Sequence, residues 1–267
     1  MRISVCGCLL TAIVLISCSQ SERAATGTPI PREIIDLGAL VTEDLPERVW
    51  GKALLTDNKF TEPNSFNVMQ WEQDLPGGTI SGSNSYYTLF NHGGPHVDAP
   101  NHVGFEGGLD SYPIEVFSGP VKVFDVRKFS VGRTVDREFF ADKNIDPNDI
   151  VLIYTGYVLP QGDNAYPQVV TLTREAAEFL ANIPVRAIGT DSQSLYSMQA
   201  TEPVEADTML ARAAPIHEVF LSRTIPIYEE LFNVDQLLGR ENMYFIGVPL
   251  NVKDGDGMMV RPVVFIY

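Results

Sequence analysis

Between residues 92 and 102 the chain reads His-Gly-Gly-Pro-His-Val-Asp-Ala-Pro-Asn-His, and a helix cannot accommodate it. Pro95 and Pro100 lack the amide hydrogens that a helix interior needs, and Gly93 and Gly94 lose more freedom on ordering than any other residue. The segment is therefore extended or looped. In an extended chain alternate side chains share a face, and the spacings of His92, His96, Asp98 and His102 are all even. One side can thus present three imidazoles and a carboxylate. Any one of these histidines alone would read as a surface or hydrogen-bonded core residue. Three of the protein's four histidines beside an aspartate read as a metal site. Nitrogen and carboxylate donors suit zinc, manganese, iron or cobalt. The glycines let backbone pass close to an ion and the prolines stiffen the loop, which favours an open catalytic site over a closed structural one.

A chain of 267 residues suits one large domain or two small ones, and 45% hydrophobic with 20% charged residues is an ordinary globular balance. Nineteen basic against 34 acidic residues, a formal charge of −15, would repel a phosphate backbone and argues against nucleic-acid binding. Arg2 followed by the apolar stretch Ile3 to Ser17 is too short to span a bilayer but has the form of a signal peptide. Its end, Leu15-Ile16-Ser17-Cys18, resembles a bacterial lipobox, which implies cleavage after residue 17 and a lipid on Cys18. Ser19 follows rather than Asp, so inner-membrane retention is not indicated; the expected location is the cell envelope, at the periplasmic face of the outer membrane. Residues 18–32, rich in Ser, Thr, Gly and Pro, read as a tether, and 33–267 as the folded domain. Cys6, Cys8 and Cys18 all lie in or at the end of the leader, which excludes a cysteine nucleophile in the domain.

Short β-like runs recur at Val121–Val126, Ile150–Tyr154, Val185–Ile188, Tyr244–Val248 and Val260–Ile266, separated by Gly, Pro, Asn or Asp. The clearest helix follows Thr173, which can cap it, with Ala176, Ala177, Leu180 and Ala181 as its apolar face. A second, shorter helix is expected at Val234–Leu238, with Asn233 in capping position and Gly239 as a stop. The reading is mixed α/β. His217 sits in Ala-Pro-Ile-His-Glu-Val-Phe; Leu221 stands where a His-Glu-x-x-His zinc protease would have its second histidine. Gly82-Ser-Asn-Ser-Tyr86 does not form a Gly-x-Ser-x-Gly elbow, and neither a dinucleotide fingerprint nor a P-loop occurs.

The run His92-x-Gly-x-His96-x-Asp98-Ala-Pro-x-His102 resembles the signature of the cyclase family of metal hydrolases, which includes bacterial kynurenine formamidase and isatin hydrolase. The resemblance extends from about Ile34 to Tyr267 through Ile150–Tyr157, Gly189-Thr-Asp-Ser192, Ile225–Leu231 and Val248–Gly257, in family order. It implies a single α/β domain with the mixed-sheet, swivelling β/β/α cyclase-like fold. By matching positions it implies His92, His96 and Asp98 as metal ligands and His102 as the proton-transfer residue. In the formamidase branch a later histidine and a glutamate twelve residues on complete a dinuclear site, which implies His217 and Glu229, the Ile-Pro-Ile-x-Glu pattern selecting Glu229 over Glu230. The loosely matched Trp50 is the counterpart of a substrate-lining tryptophan, with packing as its other reading. Pro95 departs from the family, which usually has Thr there, so substrate or metal preference can differ.

The function that the resemblance implies is cleavage of a C–N amide bond, as in an N-formylkynurenine-type aryl formamide, by metal-activated water with His102 as acid and base. The ion would be divalent, zinc ahead of manganese, one or two per site. Alternatives are an isatin-type lactam hydrolase and a non-catalytic metal- or ligand-binding surface lipoprotein. A small-molecule amide or lactam is the expected substrate, the N-terminal lipid the only expected membrane contact, and a homodimer or larger homo-oligomer the implied assembly.

Overall fold

Runs of branched and aromatic residues, cut by Gly, Pro, Asn and Asp, fold mostly into strands of two to five residues. The computed structural model describes residues 29–50, 63–129, 134–158, 170–193 and 206–267. In chain order the elements are β1 (Glu33–Asp36), α1 (Leu45–Trp50), β2 (Ser65–Leu75), β3 (Gly78–Thr88), β4 (His96–Asp98), β5 (Ser118–Asp125), β6 (Thr134–Val135), β7 (Ile150–Tyr154), β8 (Thr171–Leu172), α2 (Arg174–Asn182), β9 (Ala187–Thr190), α3 (Ala206–Leu221), β10 (Ile227–Glu229), β11 (Met243–Ile246), β12 (Gly257–Met259) and β13 (Val263–Ile266). Nine strands form one mixed sheet in the order β1-β13-β11-β5-β7-β9-β10-β4-β12. β5, β7, β9 and β10 run parallel, and the strands outside them are antiparallel. The expected mixed α/β fold is the one observed.

The sheet is buried on both faces because β7 is apolar at every position from Ile150 to Ile153. Val151 and Ile153 pack with the α2 residues Ala176, Ala177, Leu180 and Ala181 and with Val219 and Phe220 of α3. Ile150 and Leu152 point the other way, toward Leu37, Val97, Tyr228, Phe245 and Val264. Burial of each such Ile or Leu side chain contributes roughly 1.5–3 kcal/mol relative to exposure. α2 begins as read from the sequence: Thr173 Oγ accepts the Ala176 amide at 3.1 Å, and the four expected residues are its buried face.

Other expectations shift. The run at 185 enters the sheet two residues later, at Ala187. Strand β11 ends before Gly247, and β13 starts only after Pro262, which has no amide to give a ladder. The helix expected at Val234–Leu238 is a single 3-10 turn, Val234–Leu237. Asn233 does not cap it: its backbone is left-handed at φ 56° and its amide donates to the Asp36 carbonyl at 2.8 Å instead. Several elements had no sequence forecast, among them α3 and the β2–β3 hairpin. α3 carries Pro215 in its interior, which hides its periodicity. β2 and β3 pair over eleven positions from Ser65↔Thr88 to Leu75↔Gly78, closed by Pro76-Gly77.

That hairpin is two-faced. Directly paired residues share a side, so Met69, Trp71, Leu75, Ile80 and Tyr86 lie together with Asn67, Gln73 and Asn84, opposite Phe66, Val68 and Tyr87 with Gln70, Glu72, Asp74, Ser81, Ser83 and Ser85. The five apolar side chains of the first side are exposed, and no third strand joins the pair among the described residues.

Candidate metal centre

Strand β4 carries His96 and Asp98 into the sheet between β10 and β12. The register sets Glu229 beside His96 on one side and Gly257 beside Asp98 on the other. Only His96 and Asp98 obey the extended-chain alternation. His92 comes from the preceding turn, where Gly93 N–H donates to Phe90 O and Gly94 takes φ 143°. Side chains on either glycine would strike Pro46 or Leu45 of α1, at 2.8 and 2.7 Å. His102 lies in the 3-10 turn Pro100–Val103, which Gly104 ends with φ 84°. The shared face is thus built by a turn, a strand and a 3-10 turn, not by one extended segment.

From outside the run, α3 supplies His217 and β10 supplies Glu229. His92 Nδ1 and His96 Nε2 stand 3.0 and 3.3 Å from Asp98 Oδ1, and His217 Nε2 stands 3.7 Å from Asp98 Oδ2 and 3.3 Å from Glu229 Oε1. All of these side chains are buried. His102 is the most open of the four histidines, 28% exposed against 1–8% for the others, and its ring lies 4.3 Å from that of His92. Six residues read from the sequence, His92, His96, Asp98, His102, His217 and Glu229, therefore meet in one place. The Trp50 side chain and Cys18 lie outside the described residues.

One hydrogen bond determines what the cluster can hold. His96 Nδ1 faces the Gly94 carbonyl at 2.8 Å, and since a carbonyl only accepts, that nitrogen carries the proton. His96 Nε2 then points at two carboxylates, Asp98 at 3.3 Å and Glu229 at 3.8 Å. A nitrogen and two buried carboxylates so arranged call for a cation between them, a proton or a metal ion. Both Asp98 oxygens and Glu229 Oε1 are buried without a hydrogen bond. Buried carboxylates left so are costly. Donor atoms of His92, His96 and Asp98 lie within 4.8 Å of one another, as do those of Asp98, His102 and His217 and those of His92, His102 and Asp256. The donor set fits a divalent cation.

The electrostatics agree. Burial works against the Asp98 anion, but the imidazoles of His102, His96 and His92 hold it well below the usual carboxylate range. Burial also works against a charged His92, but Asp256 and Asp98 outweigh it and lift the imidazole to about 9. Glu230 is not a solvated carboxylate: it is buried behind His96 with left-handed backbone at φ 59°, and burial beside Glu229 and Asp98 pushes it well above the usual range.

Asp256 is the residue that sequence reasoning missed. Its Oδ2 lies 3.1 Å from His92 Nε2 and 3.8 Å from His102 Nδ1. The Asp254-Gly-Asp-Gly257 run was the available signal, but nothing in its spacing ties it to a histidine 164 residues away.

Residues 35–195, more than half of the chain, match the family model described as Cyclase. The chain belongs to the cyclase family. The matched span includes the run from His92 to His102 but stops short of His217, Glu229 and Asp256. Among curated relatives, the kynurenine formamidase of Salinibacter ruber is 29% identical over 177 residues, covering 66% of this chain and 76% of that protein. The kynurenine formamidase of Bacillus cereus is 28% identical over 208 residues, 76% and 87% of the two chains. Among solved structures, isatin hydrolase A from Labrenzia aggregata superposes with a TM-score of 0.64 at 23% identity, over 88% of this chain and 93% of that one. A potential metal-dependent hydrolase with cyclase activity gives 0.58 at 20% identity, over 88% and 98%. These two establish that this cyclase-family chain shares their fold.

The raised imidazole has a signed consequence. A histidine lifted from 6.5 to about 9 contributes stability fully below pH 6.5, and loses that contribution as pH rises through about 9. In protein stripped of divalent ions, NMR titration of the four histidines is expected to show His92 protonated well past neutrality.

Proposed function

We propose that this protein is a metal-dependent hydrolase that cleaves the C–N amide bond of a small aryl formamide. The observation that carries the reading is His96 Nε2, aimed at two buried carboxylates beside a partly open fourth histidine. The kynurenine formamidase relatives supply the substrate class. His92, His96, Asp98, His217 and Glu229 would hold one or two divalent ions, zinc ahead of manganese on an oxygen and nitrogen donor set without thiolate. The metal supplies Lewis acidity toward the scissile carbonyl. His102 removes a proton from the attacking water as its oxygen bonds to the formyl carbon. It returns that proton to the amide nitrogen as the C–N bond breaks, releasing amine and formate. Trp50 would lie along the substrate.

A cyclic lactam of the isatin type is the second reading, favoured by the fold shared with isatin hydrolase A. It requires the same bond cleavage and the same residues. The purified full-length chain, assayed against aryl formamides, lactams and lactones, is expected to hydrolyse an aryl formamide most rapidly. Chelation should abolish turnover and zinc restore it. His102→Ala is expected to keep its metal, measured by elemental analysis, and to lose about 10²–10⁴-fold in rate. Loss of the metal in that variant, with no substrate turned over by the parent, would instead identify a non-catalytic metal-binding protein.

The apolar face of the β2–β3 hairpin supports a homodimer. A two-stranded ribbon is marginal in water alone, and Met69, Trp71, Leu75, Ile80 and Tyr86 offer a second copy five exposed apolar side chains on one side. Light scattering is expected to give a dimer mass for the parent and a monomer for the Met69→Lys, Trp71→Glu double variant. A monomeric parent refutes the assembly.

For location, the Arg2 and Ile3–Ser17 leader ending in Leu15-Ile16-Ser17-Cys18 supports export and lipidation, with residues 18–32 as tether and 33–267 as the enzyme, at the periplasmic face of the outer membrane. Radioactive palmitate should label the protein in cells and fail to label Cys18→Ala; equal labelling of both rules out the anchor.

A further inference from the structure

Asp256 forms a third close triad of donor atoms with His92 and His102 but enters no step derived above, and the loop that carries it is stitched to the metal-site segment along its length. Asp256 O accepts the Ala99 amide at 2.9 Å, Asp254 O accepts Asn101 Nδ2 at 2.9 Å, and Gly255 O accepts the Leu109 amide at 2.8 Å. The loop is thereby fixed relative to the 3-10 turn bearing His102. The Asp256 carboxylate is itself clamped, since Oδ1 accepts Asn91 Nδ2 at 2.9 Å. That leaves Oδ2 to meet His92 Nε2 at 3.1 Å and His102 Nδ1 at 3.8 Å. The two rings stack 33° from parallel, and the next residue, Gly257, lets His92 lie against β12: a Cβ there would stand 2.5 Å from His92 Cε1.

We infer that Asp256 is a positioning residue that locks the metal-ligand His92 and the proton-transfer His102 into one register. By accepting the remote N–H of His92 it directs Nδ1 at Asp98 and the ion, and makes that nitrogen a better donor. By facing His102 Nδ1 it leaves Nε2 for the reacting atoms, the arrangement by which a carboxylate orients a catalytic imidazole. One oxygen shared by two stacked imidazoles also sets their separation. Asp256 thus couples metal affinity to catalytic geometry. The inference rests on the hydrolase reading for its catalytic half only.

The test uses the full-length chain loaded with zinc. Asp256→Asn keeps the size and the Asn91 contact but weakens the acceptor toward the imidazoles. Zinc affinity, read by competition with a chromogenic chelator, should fall about 10–100-fold with the number of ions per chain unchanged. Turnover number should fall about 10–100-fold with KM little changed. Asn91→Ala, which frees the carboxylate without removing it, should move both in the same direction by less, and it serves if Asp256→Asn does not fold. Parent-like affinity in both variants overturns the inference. A drop of one ion per chain overturns it too, because Asp256 would then be a ligand. If the parent hydrolyses no amide, the hydrolase reading falls while the affinity comparison still decides the role of Asp256.

Discussion

A histidine with one ring nitrogen at a backbone carbonyl and the other aimed at two buried carboxylates is the constraint on which this structure turns. The Gly94 carbonyl accepts from His96 Nδ1, and that bond aims Nε2 at Asp98 and Glu229. Burying these carboxylates is costly unless a cation shares the site. The surrounding fold is what prevents these groups from relaxing. β4 is inserted between β10 and β12 with Val97 fully buried beneath it, so His96 and Asp98 can neither slide nor turn outward without breaking two ladders.

The same logic explains the positions of the weaker, more adaptable parts. His217 arrives on a long helix packed on the sheet, and Glu229 on a strand paired directly with β4, so both are placed by regular elements. His92 and His102 come from turns, and turns hold a ring less firmly than a sheet does. Here the glycines let the turn press against α1 and β12, and the Asp256 loop closes over the two rings from the solvent side. The openness of His102 is a consequence of this placement, while the other three histidines are enclosed.

What was legible in the sequence was local. Even spacing in a proline- and glycine-rich segment pointed to a donor cluster, and its resemblance to a known family added His217 and Glu229; all six residues converge. α2 was legible because a capping threonine and a 3.6-residue apolar period lie within eleven residues. α3 was not, because Pro215 interrupts the pattern and only packing compensates for it. The hairpin was missed because its alternation serves an exposed face, where apolar and polar residues give no clear signal of burial.

Sequence by itself determined the chemistry on offer: four histidines and several carboxylates, no thiol after Cys18, and a segment barred from being a helix. It also marked Ile150–Tyr154 as an apolar β-like run. Only tertiary structure decided that three different local conformations, rather than one extended face, bring His92, Asp98 and His102 together. It alone decided that Glu230 is buried with its carboxyl pushed upward, and that Asp256 bridges two histidines more than 150 residues earlier. The reason is physical: donor type is a property of the residue, whereas tautomer, protonation and the pairing of distant charges depend on which groups the fold brings within a few ångströms and shields from water.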